Sequence, residues 1–377
     1  MPVAAVCFQS QRQNIANTRV VEFELDDPLP GSVLLSVDSF ALTANNITYG
    51  VAGDSIGYWQ FFPAPEPAGS NPASEEPATQ WGCIPVWGFG TVIQTNHSDV
   101  AVGERLYGYF PMASHVLLQP TKVGALSLTD GVEHRSQLPV VYNQYVKTAV
   151  DPAYVATHEA EQMLYRPLFT TSFFLDDFLD DNEFFGVERV ILTSASSKTS
   201  LGLAHLLHAN RDCRVIGLTS AGNLDFVRGL GCYHDVLSYE QVDQLERLPS
   251  VMVDMAGSGK VRASVHNHLA DELKYSCAVG ATHWEDATVG GGGAAIAGPK
   301  PVMFFAPTQI GKRLQQWGRE TYDARMSAAW RGFLQAADRW IDVANGRGVQ
   351  SLHGVYQQFI AGEADPAKGY VQTLSAD

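Results

Sequence analysis

The segment Thr193-Ser194-Ala195-Ser196-Ser197-Lys198-Thr199-Ser200-Leu201-Gly202 joins a short apolar run, Arg189 to Thr193, to a helical pattern. Small hydroxyl side chains beside one lysine are groups that hold phosphate. At the start of a helix the backbone N–H groups lack partners, and the helix dipole favours an anion. Dinucleotide folds seat the pyrophosphate at this first strand-to-helix turn, normally on glycines that let the backbone come close. Those glycines are missing here. Ser194, Ser196, Ser197 and Thr199 offer hydroxyls in their place and Lys198 offers a charge. The plainer reading is that Ser196, Ser197 and Thr199 cap the helix.

The next apolar run ends Ile216-Gly217-Leu218-Thr219-Ser220-Ala221-Gly222-Asn223. Sites that prefer NAD usually carry Asp or Glu at this tip, bonded to the ribose hydroxyls. No carboxylate stands here, and Thr219, Ser220 and Asn223 can hydrogen-bond a 2′-phosphate without repelling it. The pattern therefore favours NADP over NAD.

These residues need a parallel sheet to position them, and the second half of the chain has the grammar for one. Runs at Arg189 to Thr193, Arg214 to Leu218, His234 to Leu237, Val251 to Asp254, Tyr275 to Gly280 and Val302 to Phe305 read as strands. Helical stretches at Ser200 to Asn210 and Asn223 to Leu230 separate the first three. Alternation of strand and helix implies right-handed crossovers and a sheet covered on both faces. Residues 1 to about 150 read differently, as short strands such as Val33 to Val37 and Gly90 to Ile93 between Gly, Pro and Asn. Ala64 to Thr79 reads as an exposed loop. Near the end, Trp330, Phe333, Leu334, Ala337, Trp340 and Ile341 follow helical spacing before a short tail.

With 377 residues, two domains are expected. The net charge of −15, with Lys and Arg scattered, argues against a nucleic-acid or anionic-membrane partner. Cys7, Cys83, Cys213, Cys232 and Cys277 are odd in number and widely spaced, which suits reduced thiols in a cytosol. The first residues lack the pattern of a signal peptide, and no stretch approaches a membrane span. A cytoplasmic protein is expected.

Taken in order along the chain, several motifs resemble the medium-chain dehydrogenase/reductase superfamily, in its quinone-oxidoreductase and enoyl-reductase branch. They are Gly31 to Asn46, Gly88 to Ile93, Val102 to Gly108, Asn223 to Asp235, Asp254 to Gly257 and Val279 to Thr282. Leu42 to Tyr49 and Ser196 to Thr199 resemble more narrowly the DUF2855 group. The resemblance implies an α/β protein: a GroES-like β-rich catalytic domain at 1–150, completed by about 335–377, and a Rossmann doubly wound parallel-sheet domain at 151–334 that binds NADPH. It implies a cleft between the two, Asp254, Val279 and Gly280 beside the nicotinamide ribose, and a homodimer through the sheet edge.

The sequence departs from the zinc branch of that superfamily. Phe40, Ala41 and Leu42 stand where a cysteine ligand would follow its strand, no Gly-His-Glu occurs, and the four-cysteine lobe is missing. His266-Asn267-His268 reads as a polar helix face. No metal is expected. Another group must then stabilise charge on the substrate oxygen, and a phenol or amide can do so. In the enoyl-reductase branch a tyrosine beyond the turn equivalent to Ala44-Asn45-Asn46 has such a part. The resemblance thus points to Tyr49 first, with Asn46 as orienter or second donor and Tyr58 nearby; packing and turn formation are the competing roles. Tyr142, with Asn143 and Lys147, is a second candidate cluster, and a surface-to-core connection is its competitor. The run Gly290 to Pro299 reads either as a cover over the cleft or as a plain linker.

The expected activity is hydride transfer from NADPH to an enone, quinone or ketone. A non-catalytic nucleotide-binding scaffold and a zinc-free alcohol oxidation are the rival readings.

Overall fold

The structure is a computed structural model, and it describes residues 2–55, 57–69, 80–279 and 296–374. The chain divides into two compact units, one of residues 1–164 with 342–377 and the other of residues 165–341.

The first unit is β-rich. In chain order its elements are β1 (Val3–Gln11), β2 (Asn14–Leu25), β3 (Val33–Leu42), α1 (Ala44–Val51), β4 (Trp81–Gly82), β5 (Pro85–Thr95), β6 (Arg105–Pro111), β7 (His115–Leu118), β8 (Ser127–Thr129) and β9 (Gln144–Lys147). Helix α2 (Glu159–Asp181) carries the chain onward. β3 is buried toward both ends, where its residues are apolar on both faces, while Ser36, Asp38 and Ser39 in its middle are only partly covered. It pairs antiparallel with β5, which pairs with β6. Between β5 and β6, Gly88 faces Gly108. A Cβ on Gly108 would lie 2.4 Å from the Tyr145 ring, so the glycine admits that ring. All five cysteines are free, and Cys7 and Cys83 hold their sulfurs 3.2 Å apart in the core.

The second unit contains β10 (Arg189–Thr193), α3 (Lys198–Asn210), β11 (Arg214–Thr219), α4 (Leu224–Gly229), β12 (Asp235–Ser238), β13 (Ser250–Asp254), α5 (Gly259–Leu269), β14 (Leu273–Ala278), β15 (Val302–Met303) and α6 (Ala306–Ala337). Its sheet runs β12-β11-β10-β13-β14-β15, all parallel. This is the doubly wound order, in which the chain reverses direction across the sheet between β10 and β13; ligands bind at such a reversal, outside the C-terminal strand ends. Every residue of β10 and of β13 is buried, as central strands covered on both faces must be.

The chain then returns to the first unit through β16 (Asp342–Arg347), α7 (Gly348–Ala361) and β17 (Lys368–Thr373). β17 pairs with β3, lengthening the first unit's sheet. The helical spacing near the end therefore holds only to Ala337. Trp340 lies past the helix, with its indole N–H on the Leu230 carbonyl at 2.9 Å. The polar face expected at His266 is also corrected. His266 is buried, bonded to the Ser276 hydroxyl at 2.9 Å and the Ala297 carbonyl at 2.8 Å. Burial holds its pKa below the usual histidine value. Among the described residues no helix is long and apolar enough to cross a membrane.

Candidate functional site

The turn after β10 and the turn after β11 meet at one edge of the sheet. Ser194 has φ 50°, a left-handed backbone that side chains seldom adopt. It makes the bend that a glycine makes in the usual fingerprint, with its N–H on the Tyr239 hydroxyl at 3.1 Å. Ala195 is fixed from both sides: its N–H reaches the Leu218 carbonyl at 3.0 Å, and its carbonyl accepts the Tyr233 hydroxyl at 2.9 Å. Ser196 then faces the second turn. Its hydroxyl accepts Asn223 Nδ2 at 3.0 Å and Thr219 Oγ1 at 3.5 Å. Ser220 beside them is exposed.

Ser197 caps α3, accepting the Ser200 N–H at 3.3 Å. Lys198 and Thr199 open the helix, and among the described residues nothing accepts from their backbone N–H groups. Lys198 is half-buried, with its ammonium 5.7 Å above the centre of the Tyr165 ring and no carboxylate paired to it among the described residues. Desolvation pushes its pKa down to about 8. Unpartnered N–H donors, a lone cation and a ring of hydroxyls together suit a phosphorylated ligand.

Asp254 and Val279 stand at the tips of β13 and β14, joined by the Val279 N–H on the Asp254 carbonyl at 3.0 Å. The Asp254 carboxylate is fully buried. It accepts Thr193 Oγ1 at 2.7 Å, the N–H groups of Ala256 and Gly257 at 3.1 Å each, and Arg262 Nε at 2.9 Å. So many internal donors make it a brace between β10, β13 and α5. Gly280 and the glycines from Gly290 to Gly293 lie outside the described residues, as does most of the run read as either a cover or a plain linker.

The first unit holds a separate cluster. Tyr49 lies on α1, which the sequence had suggested as a turn. Asn45 on the preceding turn of that helix donates its amide to the Tyr49 oxygen at 2.5 Å. The rings of Tyr49 and Tyr58 lie 4.3 Å apart, and those of Tyr49 and Tyr109 5.9 Å apart, edge to face. Tyr142 packs on Tyr109 at 4.9 Å and shares a hydrogen bond of 3.2 Å with the Tyr58 hydroxyl. Phe61 and Trp87 complete the group. Burial raises the pKa of all four tyrosines. For Tyr49 the nearby Trp87, Tyr109 and Asn45 groups offset it only in part, so the phenols remain protonated donors.

Tyr49, Tyr58 and Tyr142 are thus brought together. Asn46 is not free to join them as a substrate donor. It is buried, its carbonyl oxygen accepts the Thr43 N–H at 2.7 Å, and its amide donates to the Pro85 carbonyl at 2.9 Å. These bonds fix the start of α1, and with it the direction of Tyr49. Asn143 is buried with its amide on the Arg135 carbonyl at 2.9 Å, and Lys147 pairs with Glu104 at 3.2 Å. Sequence reasoning missed Trp87 and Tyr109. Their one local signal is the alternation of aromatics along β5 and β6, where the two residues sit directly opposite each other. Among the described residues no three His, Cys, Asp or Glu side chains are grouped to hold a metal.

The first unit is a GroES-like β-rich domain and the second a Rossmann domain, the fold of medium-chain dehydrogenase/reductases. The chain belongs to the family described as protein of unknown function (DUF2855), whose model matches residues 40–365. No curated protein matches the sequence. Among solved structures, CurA from Vibrio vulnificus in complex with NADPH is 13% identical with a TM-score of 0.62, over 99% of this chain and 100% of that one. A mutant enoyl thioester reductase from Candida tropicalis is 12% identical with a TM-score of 0.52, over 98% of this chain and 100% of that one. The Etr1p complex with NADP and crotonyl-CoA is 11% identical with a TM-score of 0.54, over 98% and 100%.

Proposed function

We propose that the chain is an NADPH-dependent reductase that, without a metal ion, delivers hydride to an activated C=C or C=O bond of an enone, quinone or ketone. The observation that carries this reading is the meeting of the Ser196–Lys198 turn with a β11 tip that lacks a carboxylate. The Rossmann unit would hold the dinucleotide. Lys198 and the N–H groups of Lys198 and Thr199 would meet phosphate, while Thr219, Ser220 and Asn223 would meet the adenosine ribose phosphate. The names of the similar structures, with NADPH in one and NADP in another, agree with that assignment. NADPH, when bound, supplies the hydride.

The β-rich unit would supply the groups that meet substrate. When hydride reaches carbon, negative charge develops on the substrate oxygen and must be met by a donor. Because Asn45 donates to the Tyr49 oxygen, the Tyr49 proton is left to point elsewhere. Tyr49 would give that proton as a hydrogen bond to the substrate oxygen.

Steady-state oxidation of NADPH in the presence of 2-cyclohexen-1-one, 1,4-benzoquinone and cyclohexanone tests the reading directly. Turnover with at least one of them is expected. Calorimetry separates the rival scaffold role: absence of NADPH binding at millimolar cofactor would end the reductase reading.

A further inference from the structure

Two donors in the aromatic cluster make no well-formed hydrogen bond in the fold, and both lie beside the Tyr49 oxygen. Tyr109 is fully buried on β6, and its hydroxyl has no hydrogen-bond partner. Trp87 lies opposite it on β5, and its buried indole N–H also has none. Folded proteins seldom leave such groups unsatisfied, and an unpaired pair in one place asks for a reason. Trp59 and Trp81 also have unpartnered N–H groups, each beside a guanidinium, from Arg12 at 5.8 Å and Arg19 at 4.3 Å, that has an unpartnered nitrogen of its own; Trp87 and Tyr109 differ in lying beside the Tyr49 oxygen. Trp87 and Tyr109 instead pack against each other at 5.0 Å, with Tyr49 5.9 Å from Tyr109.

The cluster's chemistry narrows what fits. Tyr49, Tyr58, Phe61, Trp87, Tyr109 and Tyr142 present π-faces and neutral donors, with no charged side chain among them. An indole N–H can only donate, and a protonated phenol donates readily. A ligand here must bring an acceptor oxygen and a flat, uncharged body. Tyr58 and Tyr142 are half-buried, and among the described residues each hydroxyl is bonded only to the other, so one hydrogen bond holds them in place.

We infer that Tyr109 and Trp87 join Tyr49 as donors to the substrate oxygen, and that the substrate is a planar conjugated carbonyl compound such as a quinone or cyclic enone. This rests on the reductase reading and deepens it. As the carbonyl oxygen gains charge, three fixed donors meet it without reorganising, which is how an oxyanion site lowers a barrier. The electron pair of the polarised π-bond moves onto oxygen as hydride bonds to carbon, and a proton later joins the oxygen or the α-carbon from solvent.

The test uses the full chain without cofactor and 4-nitrophenol as a planar oxyanion mimic, read by its phenolate absorbance. The wild type should bind it as the phenolate, with its apparent pKa lowered by about one unit or more, as converging hydrogen bonds to the charged form require. Tyr109→Phe and Trp87→Phe should each weaken that shift. In parallel, NADPH turnover of 2-cyclohexen-1-one should fall about 100-fold in Tyr109→Phe, the usual effect of removing one oxyanion donor. Because the Tyr109 hydroxyl makes no well-formed internal bond, Tyr109→Phe should unfold at close to the wild-type temperature or above it, unlike loss of a structural hydroxyl.

No 4-nitrophenol binding, binding of the neutral phenol, or a Tyr109→Phe protein with unchanged shift and turnover would each overturn the inference. Turnover that persists with an unshifted probe removes the three-donor site and leaves the reductase reading standing. A shifted probe with no NADPH turnover of any carbonyl removes the hydride reading instead. Preference for an acyclic, charged thioester over the planar carbonyls would overturn the substrate class.

Discussion

The turn from Ser194 to Thr199 and the cluster around Tyr49 are built on opposite plans. In the turn, short hydroxyl side chains bond mainly to one another and to neighbouring backbone. Ser196 is held by Asn223, Ser197 by Ser200 and Ala195 by Tyr233, so the polar groups left over are helix N–H donors and one cation. In the cluster, large rings pack among themselves, and the groups left over are an indole N–H and a phenol. The first arrangement holds a charged ligand through fixed dipoles. The second suits a charge that appears only as a reaction proceeds, since neutral donors in a desolvated place favour a developing oxyanion over a resting ion. Substitutions that separate binding from turnover therefore test whether the two regions divide the work this way.

The largest effect is expected at Tyr49. Tyr49→Phe keeps the ring against Tyr58 and Tyr109 and removes only the hydroxyl that Asn45 orients. Turnover of 2-cyclohexen-1-one should fall about 100-fold with NADPH affinity unchanged, because a donor used only in the transition state has been removed. If kcat is unaffected, the cluster is packing and the comparison fails on that side.

Asn46, one residue after Asn45, should respond in another currency. Asn46→Ala breaks bonds to the Thr43 N–H and the Pro85 carbonyl in a buried place. A loss of about 2 kcal/mol of stability by urea unfolding is expected, since a buried carbonyl and N–H lose their partner. Turnover per folded molecule should change much less than in Tyr49→Phe. The reverse outcome would return Asn46 to the chemistry.

These two neighbours show how far sequence reaches. Residue type and position pointed to both, yet only Tyr49 enters the cluster. What separates them is whether a strand bearing Pro85, 39 residues beyond Asn46, supplies an acceptor. That is a tertiary fact. The Rossmann strands were legible because their burial on both faces demands continuous apolar runs: the run Arg189 to Thr193 is β10 as read, and the run from Arg214 extends one residue beyond Leu218. The return to the first unit was expected only from the resemblance, over about 335–377; its elements β16, α7 and β17 were not legible in the residues, because β16 is Asp342-Val343-Ala344-Asn345-Gly346-Arg347, half-polar and without a period-two signature. α2 was missed too, with Pro167 inside it. Trp87 and Tyr109 were hidden differently. Each is an ordinary aromatic in a strand until β5 and β6 are paired and the polar atoms counted.

A smaller effect is expected at Lys198. Its ammonium is charged below about pH 8 and neutral above, so NADPH should bind best below that pH and more weakly as pH rises through it. Lys198→Met should raise Kd about tenfold at pH 7 and flatten the pH profile, since one phosphate contact of modest strength is lost. Cofactor fluorescence titrations between pH 6.5 and 9.5 read both. Stability moves the other way. The folded-state pKa is depressed, so the unfolded chain holds more protons between about pH 8 and its ordinary lysine value. Folding therefore strengthens with rising pH across that window, and Lys198→Met removes this dependence. A profile equally steep in Lys198→Met would mean that another group senses the phosphate.

The smallest effect sharpens the reading at the β11 tip. Ser220 is exposed, so Ser220→Asp should cost less than about 0.5 kcal/mol of stability, as surface changes usually do. A carboxylate there would repel a 2′-phosphate and accept from ribose hydroxyls. The ratio of kcat/KM for NADPH over NADH should then fall about fivefold, in line with one screened like-charge contact near the surface. The position matters as much as the charge. The neighbouring Thr219 is buried and turned toward Ser196, so a carboxylate at Thr219 would disturb the turn itself, whereas one at Ser220 reports on the ligand alone. If the ratio stays put in Ser220→Asp while NADPH still binds, the extra phosphate is met away from this tip. The carboxylate-free end of β11 would then say nothing about which dinucleotide the turn accepts.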